Sequence, residues 1–348
     1  MVNNMKTLKI NHSKNNKYYI GVDVGGTAIK FGIFKDSVKK AIGSSAKCSK
    51  KVLQTKEASN KILVDKFSSN TIIVQKDNEK HLLKFIFDEI ENYIKNNKYG
   101  VTKNKIVGIG FAMPGPVVNN QLIHAVNINW KKKYDIVSAT KKRFGQNIKV
   151  LVYNDGNAAT LGENSYTLKN KYKSMCLITL GTAVGTGIII NGNLIEGHTG
   201  IAGELSHIRI DYTKDAKKCA CGNVGCVETL SGTKGLKNIY KRLLGEKKWD
   251  DTIDAKTIID RAKAKDKIAY EAVDLSFDSI STLITILMHV FEPEVVLIGG
   301  GISNAGTFVT DIIREHLKEK IFMTKRLPKL MISKLKNDAG IYGVVSKL

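Results

Sequence analysis

A group of cysteines in the second half of the chain is the clearest sign of chemistry in the sequence. Three of the five cysteines lie close together, and one of the seven histidines precedes them; the set is Cys219, Cys221, Cys226 and His207. Three thiolates and one imidazole form the closed, tetrahedral ligand set of a structural zinc site. Gly222, within the group, suits the tight turns that such a site requires. The sequence therefore predicts that these four residues bind Zn²⁺.

The alternative is that these cysteines are buried or redox-active residues. A disulfide between Cys219 and Cys221 would be strained, because the loop between them is too short for ordinary disulfide geometry. The odd number of cysteines, five in all, is typical of a protein kept in a reducing cytosol.

Two acidic residues, Glu204 and Glu228, flank the cysteine group. Neither is needed to complete a set of four ligands. A carboxylate held beside a zinc-bound imidazole is well placed to accept hydrogen bonds from a polyhydroxyl ligand. The alternative is that each is a solvated loop acid, and this stretch alone leaves both interpretations open.

Two glycine-rich hairpins could present backbone groups to phosphates. The first joins a strand over 18–24 to a strand over 29–34, and it brings together Asp23, Gly25, Gly26 and Thr27. The second lies within 174–193 and has Gly181 and Thr182 in its turn. Bare backbone, a hydroxyl and a carboxylate suit phosphates and their Mg²⁺, although many such turns have no function. Two such hairpins in one chain are more specific evidence than either alone, and together they predict two lobes whose hairpins face each other across a cleft.

Three turns between strands and helices add candidate residues. Pro114-Gly115-Pro116 is a rigid turn that could wall a pocket. Asp155, which follows Asn154 at a strand-to-helix junction, is either a helix N-cap or a catalytic group at the carboxyl end of its strand. Gly299-Gly300-Gly301 follows a buried strand, where a nucleoside could lie against the backbone or where the chain simply turns.

Length and composition limit the possible architectures. At 348 residues the chain exceeds what one hydrophobic core usually serves, so we expect two domains. The sequence has no apolar run of membrane-spanning length and no signal peptide, which favours a soluble protein that is not exported. The net charge of +23 could indicate nucleic-acid binding, but the lysines are spread along the chain and no helix-turn-helix pattern or basic aromatic platform is visible. We therefore expect anionic ligands such as nucleotides rather than nucleic acid.

The order of elements predicts an α/β protein. Apolar runs bounded by turns predict further strands over 105–112, 148–153, 295–298 and 330–335. Apolar residues at helical spacing predict helices over 79–95, 254–290 and 338–347. In the second of these helices a buried stripe is expected, formed by Val273, Phe277, Ile280, Ile284, Leu287 and Phe291. Residues 1–16 are predicted to be a loose arm, and residues 36–78 to be strands and loops without a clear pattern.

With these motifs in order, the chain resembles the sugar kinases of the ROK family, and most of all their glucokinases. The resemblance covers residue 17 to the end and rests on DVGGT at 23–27, YNDGNAATLGE at 153–163, LGTAVGTG at 180–187, GELSH at 203–207, CACGNVGCVE at 219–228 and IGGG at 298–301. An ordered series of motifs is far more specific than any one of them. Two positions depart from the family pattern, because Ala183 and Thr186 stand where glycine is frequent.

The resemblance implies a two-lobed, actin-like (ribonuclease-H-like) ATPase fold of the α/β class, with a cleft between the lobes. The small lobe is expected to contain residues 17–153 and 336–348, because the final helix returns to it. The large lobe, with the zinc loop, is expected over 154–335, and the arm 1–16 belongs to neither. We expect a cytoplasmic protein that forms a homodimer or higher homo-oligomer and binds neither nucleic acid nor membrane.

The resemblance also implies roles for the candidate residues. Asp155 is the implied general base. The implied sugar-binding residues are Asn154, Asp155, Glu204, His207, Glu228 and Gly115. The implied ATP- and phosphate-binding residues are Asp23, Gly25, Gly26, Thr27, Lys30, Gly181, Thr182, Gly185, Gly299 and Gly300. The implied cofactors are ATP, Mg²⁺ and Zn²⁺, with the zinc ion on His207 and the three cysteines.

The implied function is ATP-dependent phosphorylation of a hexose, with glucose, converted to glucose 6-phosphate in glycolysis, as the expected substrate. One alternative is a ROK kinase for N-acetylmannosamine, fructose or allose. A second is a ROK transcriptional regulator, which would carry a DNA-binding domain before the first hairpin, where this sequence has only sixteen residues. A third is a catalytically inactive sugar-binding or zinc protein, which would be expected to lack Asp155.

Overall fold

Two mixed five-stranded sheets form the framework of the molecule, described here from a computed structural model. The structure describes residues 16–37, 60–70, 79–125, 128–131, 134–321 and 326–348. Within these ranges the strands are β1 (Tyr18–Val24), β2 (Ala28–Asp36), β3 (Lys61–Asn70), β4 (Ile106–Met113), β5 (Val117–Val118), β6 (Gln121–Leu122), β7 (Lys149–Asn154), β8 (Met175–Leu180), β9 (Val184–Ile190), β10 (Asn193–Leu194), β11 (Val295–Gly299) and β12 (Lys329–Ile332). The α-helices are α1 (Glu79–Asn96), α2 (Ile136–Phe144), α3 (Asp155–Gly162), α4 (Val227–Leu230), α5 (Gly232–Leu244), α6 (Ala255–Lys263), α7 (Lys267–Phe291), α8 (Thr307–Lys320) and α9 (Ala339–Ser346).

The two sheets share one plan. In the first, with strand order β3-β2-β1-β4-β7, the hairpin of β1 and β2 is antiparallel, and β4 and β7 extend it in parallel. In the second, with order β10-β9-β8-β11-β12, β8 and β9 form the hairpin, and β11 and β12 are the parallel strands. The carboxyl ends of the parallel strands therefore gather at one edge of each sheet, where α/β proteins present functional groups. This repeat confirms the predicted α/β class and the predicted pair of hairpins.

Each sheet has its own hydrophobic core. The core of the first sheet buries Phe31, Phe111 and Trp130 together with the apolar face of α1. The core of the second sheet is built on α7, whose predicted stripe is buried except for Phe291, which is partly exposed. By length and composition α7 could cross a membrane, but 56% of its apolar window is buried inside the protein, which is ordinary for the core helix of a globular fold.

Helices α3 and α9 lie between the two sheets and contact each other closely. Helix α9 packs on β1 and β4 of the first sheet, and α3 packs on β8 and β9 of the second. Glycines make the approach possible, because a Cβ on Gly343 would lie 1.6 Å from the carbonyl oxygen of Ala158 and a Cβ on Gly162 would lie 2.4 Å from that of Ala339. The final helix of the chain thus packs on the first sheet.

Most predicted elements appear within a few residues of their expected bounds, but the helix predicted over 254–290 is in fact two helices, α6 and α7. The chain breaks between them at Lys265, which adopts a φ of +68°. The side chain of Asp266 then caps α7 by accepting a hydrogen bond from the backbone N–H of Ala269. Of the stretch 36–78, β3 is described, whereas most of the remainder lies outside the described residues, as do residues 1–15 of the predicted arm at 1–16.

We expect Gly343→Ala to lower the free energy of unfolding by about 3 kcal/mol, because the new methyl group overlaps the backbone of α3 and forces α3 and α9 apart. Denaturant unfolding followed by circular dichroism measures the change. Gly301→Ala is the matched control, because a Cβ on Gly301 would meet no atom within 4 Å, and it should change stability by less than about 1 kcal/mol. Equal stability of the two variants would show that the helix contact is not tight.

Candidate active site

The carboxyl edge of the first sheet brings together residues that are distant in sequence. In the register of the sheet, Asp23 on β1 lies opposite Ala112 on β4, and Met113 lies opposite Asn154 at the end of β7. Asp155 follows as the first residue of α3. Two carboxylates, Asp23 and Asp155, are therefore presented at one edge, next to the turn of the first hairpin.

Asn154, not Asp155, caps helix α3. The Oδ1 atom of Asn154 accepts a hydrogen bond from the backbone N–H of Asn157 at 3.1 Å. Asp155 occupies the first helical position, where its own Oδ1 accepts from the N–H of Gly156 at 2.8 Å. Of the two roles that the sequence left open for Asp155, helix capping is therefore performed by its neighbour Asn154.

The environment of Asp155 favours its protonated form. Although the residue keeps an exposed surface, the surrounding protein removes much of its hydration, and this raises the pKa of Asp155 to about 7. Repulsion from the carboxylates of Asp23 and Glu204 acts in the same direction, whereas the hydrogen bond from Gly156 opposes it. A carboxyl group with a pKa near neutrality can both accept and release a proton, which is the property of a general base.

The turn at Gly115 is attached to the cap of α3. The Nδ2 atom of Asn154 donates a hydrogen bond to the carbonyl oxygen of Gly115 at 3.2 Å. Gly115 has a φ of +128°, and a Cβ there would lie 2.4 Å from the carbonyl oxygen of His124. Only glycine suits this position. The structure therefore places Gly115 beside the predicted sugar-binding residue Asn154.

The first hairpin combines an open turn with one ion pair. Lys30 Nζ lies 3.4 Å from Asp23 Oδ2 and also donates to the carbonyl oxygen of Asn337 at 2.7 Å. Loss of hydration raises the pKa of Asp23, and the charge of Lys30 partly offsets that rise. At the tip, Thr27 is exposed and Gly26 has free space on its Cβ side. This arrangement of a carboxylate, an ammonium group and open backbone suits a phosphate group with its metal ion.

The second hairpin and the glycine triplet meet at the edge of the second sheet. A Cβ on Gly300, which has a φ of +80°, would lie 2.5 Å from the backbone of Leu180. Gly299 pairs with Thr179 in the sheet, and Thr182 is exposed at the turn. The triplet predicted for a nucleoside thus adjoins the turn predicted for phosphates.

Gly185 differs from the other predicted phosphate residues. It lies within strand β9 instead of in the turn, and its N–H donates to Thr179 Oγ1 at 3.2 Å. This N–H group is therefore used inside the hairpin. The N–H of Gly181, at the start of the exposed turn, is also used within the hairpin, because it donates to the carbonyl oxygen of Ala183 at 3.0 Å.

The four predicted metal ligands converge. Cys219 Sγ lies 3.6 Å from His207 Nδ1, and Cys221 Sγ lies 3.8 Å from Cys226 Sγ. All four ligand atoms lie within 4.8 Å of one another. Zinc bonds of about 2.3 Å to sulfur and about 2.0 Å to nitrogen place tetrahedral ligands about 3.5–3.8 Å apart. The residues present therefore fit a closed zinc site.

Both flanking acids lie beside this cluster. The Nδ1 atom of His207 faces the sulfur atoms, and its Nε2 atom lies 3.9 Å from Glu204 Oε2. On the other side, Glu228 Oε1 lies 3.8 Å from Cys219 Sγ. A histidine that binds metal through Nδ1 carries its proton on Nε2. The ligand set would thus direct an N–H group toward the region of Glu204.

A buried acid at the end of α3, Glu163, was not predicted from the sequence as a candidate residue. Glu163 is fully buried; its Oε1 accepts hydrogen bonds from Ser333 Oγ at 2.5 Å and from the N–H of Leu335 at 2.7 Å, and its Oε2 accepts from Thr167 Oγ1 at 2.5 Å. It joins α3 to the segment between β12 and α9. The sequence feature that could have identified Glu163 is its place at the end of the motif at 153–163. An acidic residue at the end of a helix is otherwise common and does not indicate burial.

Comparison with known proteins identifies the relatives of the chain. The family model described as "ROK family" matches residues 62–346. A glucokinase of Halalkalibacterium halodurans is 30% identical over 344 residues, which cover 94% of this chain and 93% of that protein. A xylose repressor of Caldicellulosiruptor bescii is 30% identical over 282 residues, 78% of this chain and 69% of that protein. The crystal structure of a ROK family glucokinase from Streptomyces griseus, in complex with glucose and AMPPNP, shares the fold with a TM-score of 0.70 at 24% identity, covering 95% of this chain and 98% of that one.

We expect the protein to bind one zinc ion per chain and Cys221→Ser to lose it, because a closed site needs all four ligands. Metal content of the purified proteins checks this. The melting temperature should fall only modestly, since each sheet keeps its own core. Cys176→Ala is the control, because Cys176 is buried in β8 outside the cluster and its loss should leave the zinc content unchanged. A full complement of zinc in Cys221→Ser would contradict the assignment.

Proposed function

Because the chain belongs to the ROK family, we propose that it is a sugar kinase of that family, which transfers the γ-phosphate of ATP to a hydroxyl group of a hexose. The observation that carries the proposal is Asp155. Asn154 caps α3 in its place, and the carboxyl group of Asp155 has a pKa near neutrality. A sugar-responsive repressor has no need of such a base, although one relative, the xylose repressor, bears that name.

The proposed role of Asp155 is to accept the proton of the sugar hydroxyl as its oxygen attacks the γ-phosphate. Phosphoryl transfer depends mainly on positioning and on neutralising charge, so one base and two phosphate-binding turns are sufficient. The turn of the first hairpin and Lys30 would hold phosphate oxygens. Mg²⁺, when bound, neutralises charge on the phosphates, and Asp23 is the carboxylate that would hold it. Gly299 and Gly300 would lie against the nucleoside.

The sugar is proposed to bind between Asn154 and the zinc loop. Asn154 and Asp155 approach from the end of β7, and Glu204, His207 and Glu228 approach from the zinc cluster. Zinc would fix the ring of His207 and the cysteine segment that leads into α4, the helix that carries Glu228. The residues of this chain would then bind hydroxyl groups from two sides, with Gly115 supporting Asn154.

The two-lobe division, with 17–153 and 336–348 in one lobe and 154–335 in the other, is part of the proposal. It is supported by the separate cores of the two sheets and by the packing of α9 on β1 and β4. A cleft between the lobes would shield the phosphoryl group from water.

Glucose is the proposed substrate, supported by the similarity to the glucokinase of Halalkalibacterium halodurans. The test is ADP release with ATP and Mg²⁺ over glucose, N-acetylglucosamine, N-acetylmannosamine, fructose and allose. We expect turnover with at least one sugar and the highest kcat/KM with glucose. A higher kcat/KM with another sugar would replace glucose as the proposed substrate but would still support a sugar kinase. The absence of turnover with all five sugars would refute the proposal of a sugar kinase.

Asp155→Asn is the matched variant for this assay, because the amide keeps the shape of the carboxylate and cannot accept the proton. It should lower kcat by about 10² to 10⁴-fold. Sugar affinity, measured by calorimetry, should change little. Turnover within a few-fold of the parent would show that Asp155 is not the base.

We expect kcat/KM to be constant above about pH 7 and to fall about tenfold per pH unit below it. The raised pKa means that Asp155 becomes protonated as the pH falls through 7, and the protonated acid cannot accept the proton of the sugar. A pH–rate profile from pH 5 to 9 measures this, with circular dichroism to confirm that the protein stays folded. A flat profile down to pH 5 would contradict the assigned pKa.

A further inference from the structure

One buried hydroxyl ties the loop that carries Glu204 to the second sheet. Thr186, on β9, is 5% exposed, and its Oγ1 donates a hydrogen bond to the carbonyl oxygen of Gly203. Gly203 has a φ of +97°, which glycine adopts readily. Glu204 follows directly and precedes the 3₁₀ turn that ends with His207. The positions of Glu204 and His207 therefore depend on where Gly203 is held.

The backbone of the same threonine lies against the start of α3. A Cβ on Gly156 would lie 2.6 Å from the carbonyl oxygen of Thr186, and a Cβ on Gly187 would lie 2.8 Å from that of Gly156. Strand β9 and the first turn of α3 are thus in direct backbone contact, immediately after Asp155. Because Thr186 contacts both segments, it sets the separation between Asp155 and the loop of Glu204.

An unsatisfied acceptor lies on the same side of this loop. Asn157 is 2% exposed, and its Oδ1 accepts no hydrogen bond from any residue that the structure describes. A Cβ on Gly203 would lie 3.8 Å from this oxygen. A buried acceptor without a donor is unfavourable. A hydroxyl of a bound ligand, or a water that accompanies it, would supply the donor and stabilise the loop in place.

We propose that Thr186 is a positioning residue for the sugar, acting through Gly203 and Glu204. The inference rests on the proposed sugar kinase function. Without the hydroxyl, the carbonyl of Gly203 loses its donor and the loop can move away from α3, so a sugar would meet Asp155 and Glu204 at the wrong separation. The affinity for ATP should be affected far less, because the turn of the second hairpin is held by a separate hydrogen bond from the N–H of Gly181 to the carbonyl oxygen of Ala183.

The test compares four proteins: the parent, Thr186→Val, Thr186→Ser and Thr140→Val. Valine keeps the shape of threonine and removes the hydroxyl, whereas serine keeps the hydroxyl. Thr140, on α2, is the matched control, because it is also buried and its Oγ1 also donates to a backbone carbonyl, that of Ile136, at 2.6 Å. Steady-state KM for sugar and for ATP, kcat and melting temperature are measured for each.

We expect Thr186→Val to raise the KM for sugar about tenfold or more while the KM for ATP stays within about twofold, and Thr186→Ser to restore the parent values. Thr140→Val should change neither KM. If Thr186→Val behaves like Thr140→Val, or if it raises both KM values equally, the inference is overturned. Thr186→Ala replaces the valine variant if that variant does not fold. A parent that phosphorylates no sugar would instead refute the proposed function, so the two failures are distinguishable.

Discussion

The contact between α3 and α9 is the constraint on which the rest of the arrangement depends. Helix α9 packs on the first sheet and α3 packs on the second, so the distance between the two helices determines the distance between the two sheets. The absence of side chains at Gly162 and Gly343 allows backbone to touch backbone there. Close-packed backbone has little freedom to adjust, because any displacement must move a whole helix and the sheet beneath it.

The electrostatics of the site follow from this contact. Helix α3 carries Asp155 at its first position, and α9 approaches Asp23 so closely that a Cβ on Gly340 would lie 2.8 Å from the Asp23 carboxyl carbon. The same helix pair therefore brings two carboxylates near each other in a region of reduced hydration. Loss of hydration, and after it the repulsion between the two carboxylates, raises the pKa of Asp155. A fold can in this way bring the pKa of a carboxyl group close to neutrality.

Features that depend on residue type and local spacing could be predicted from the sequence. The two hairpins were recognisable because apolar runs flank glycine turns. The candidate metal ligands were recognisable because three cysteines and one histidine close together suit few other purposes. Those four residues do converge in the structure. The repeated sheet plan followed from the two similar hairpins, which imply two similar units.

Features that depend on tertiary contacts could not be predicted. Asn and Asp both cap helices well, so the sequence could not assign the cap to Asn154. The hydrogen bond from the N–H of Gly185 to Thr179 Oγ1 could not be predicted either, because it depends on the register of β8 and β9. One hydrogen-bond donor to Glu163, Ser333, is also distant in sequence, because it follows Glu163 by 170 residues.

The place of α9 in the chain has a consequence for biosynthesis. Residues 339–346 cover the surface of the first sheet around Gly21 and Gly110, so strands made early are completed by a helix made after the whole second sheet. At ordinary translation rates that interval lasts on the order of tens of seconds, during which this face is open to chaperones and to incorrect pairing. Asp23 and Asp155 acquire their final arrangement only when α9 docks. A ribosome-bound chain that already contains the cysteine loop therefore still lacks the arrangement of carboxylates on which the site is built.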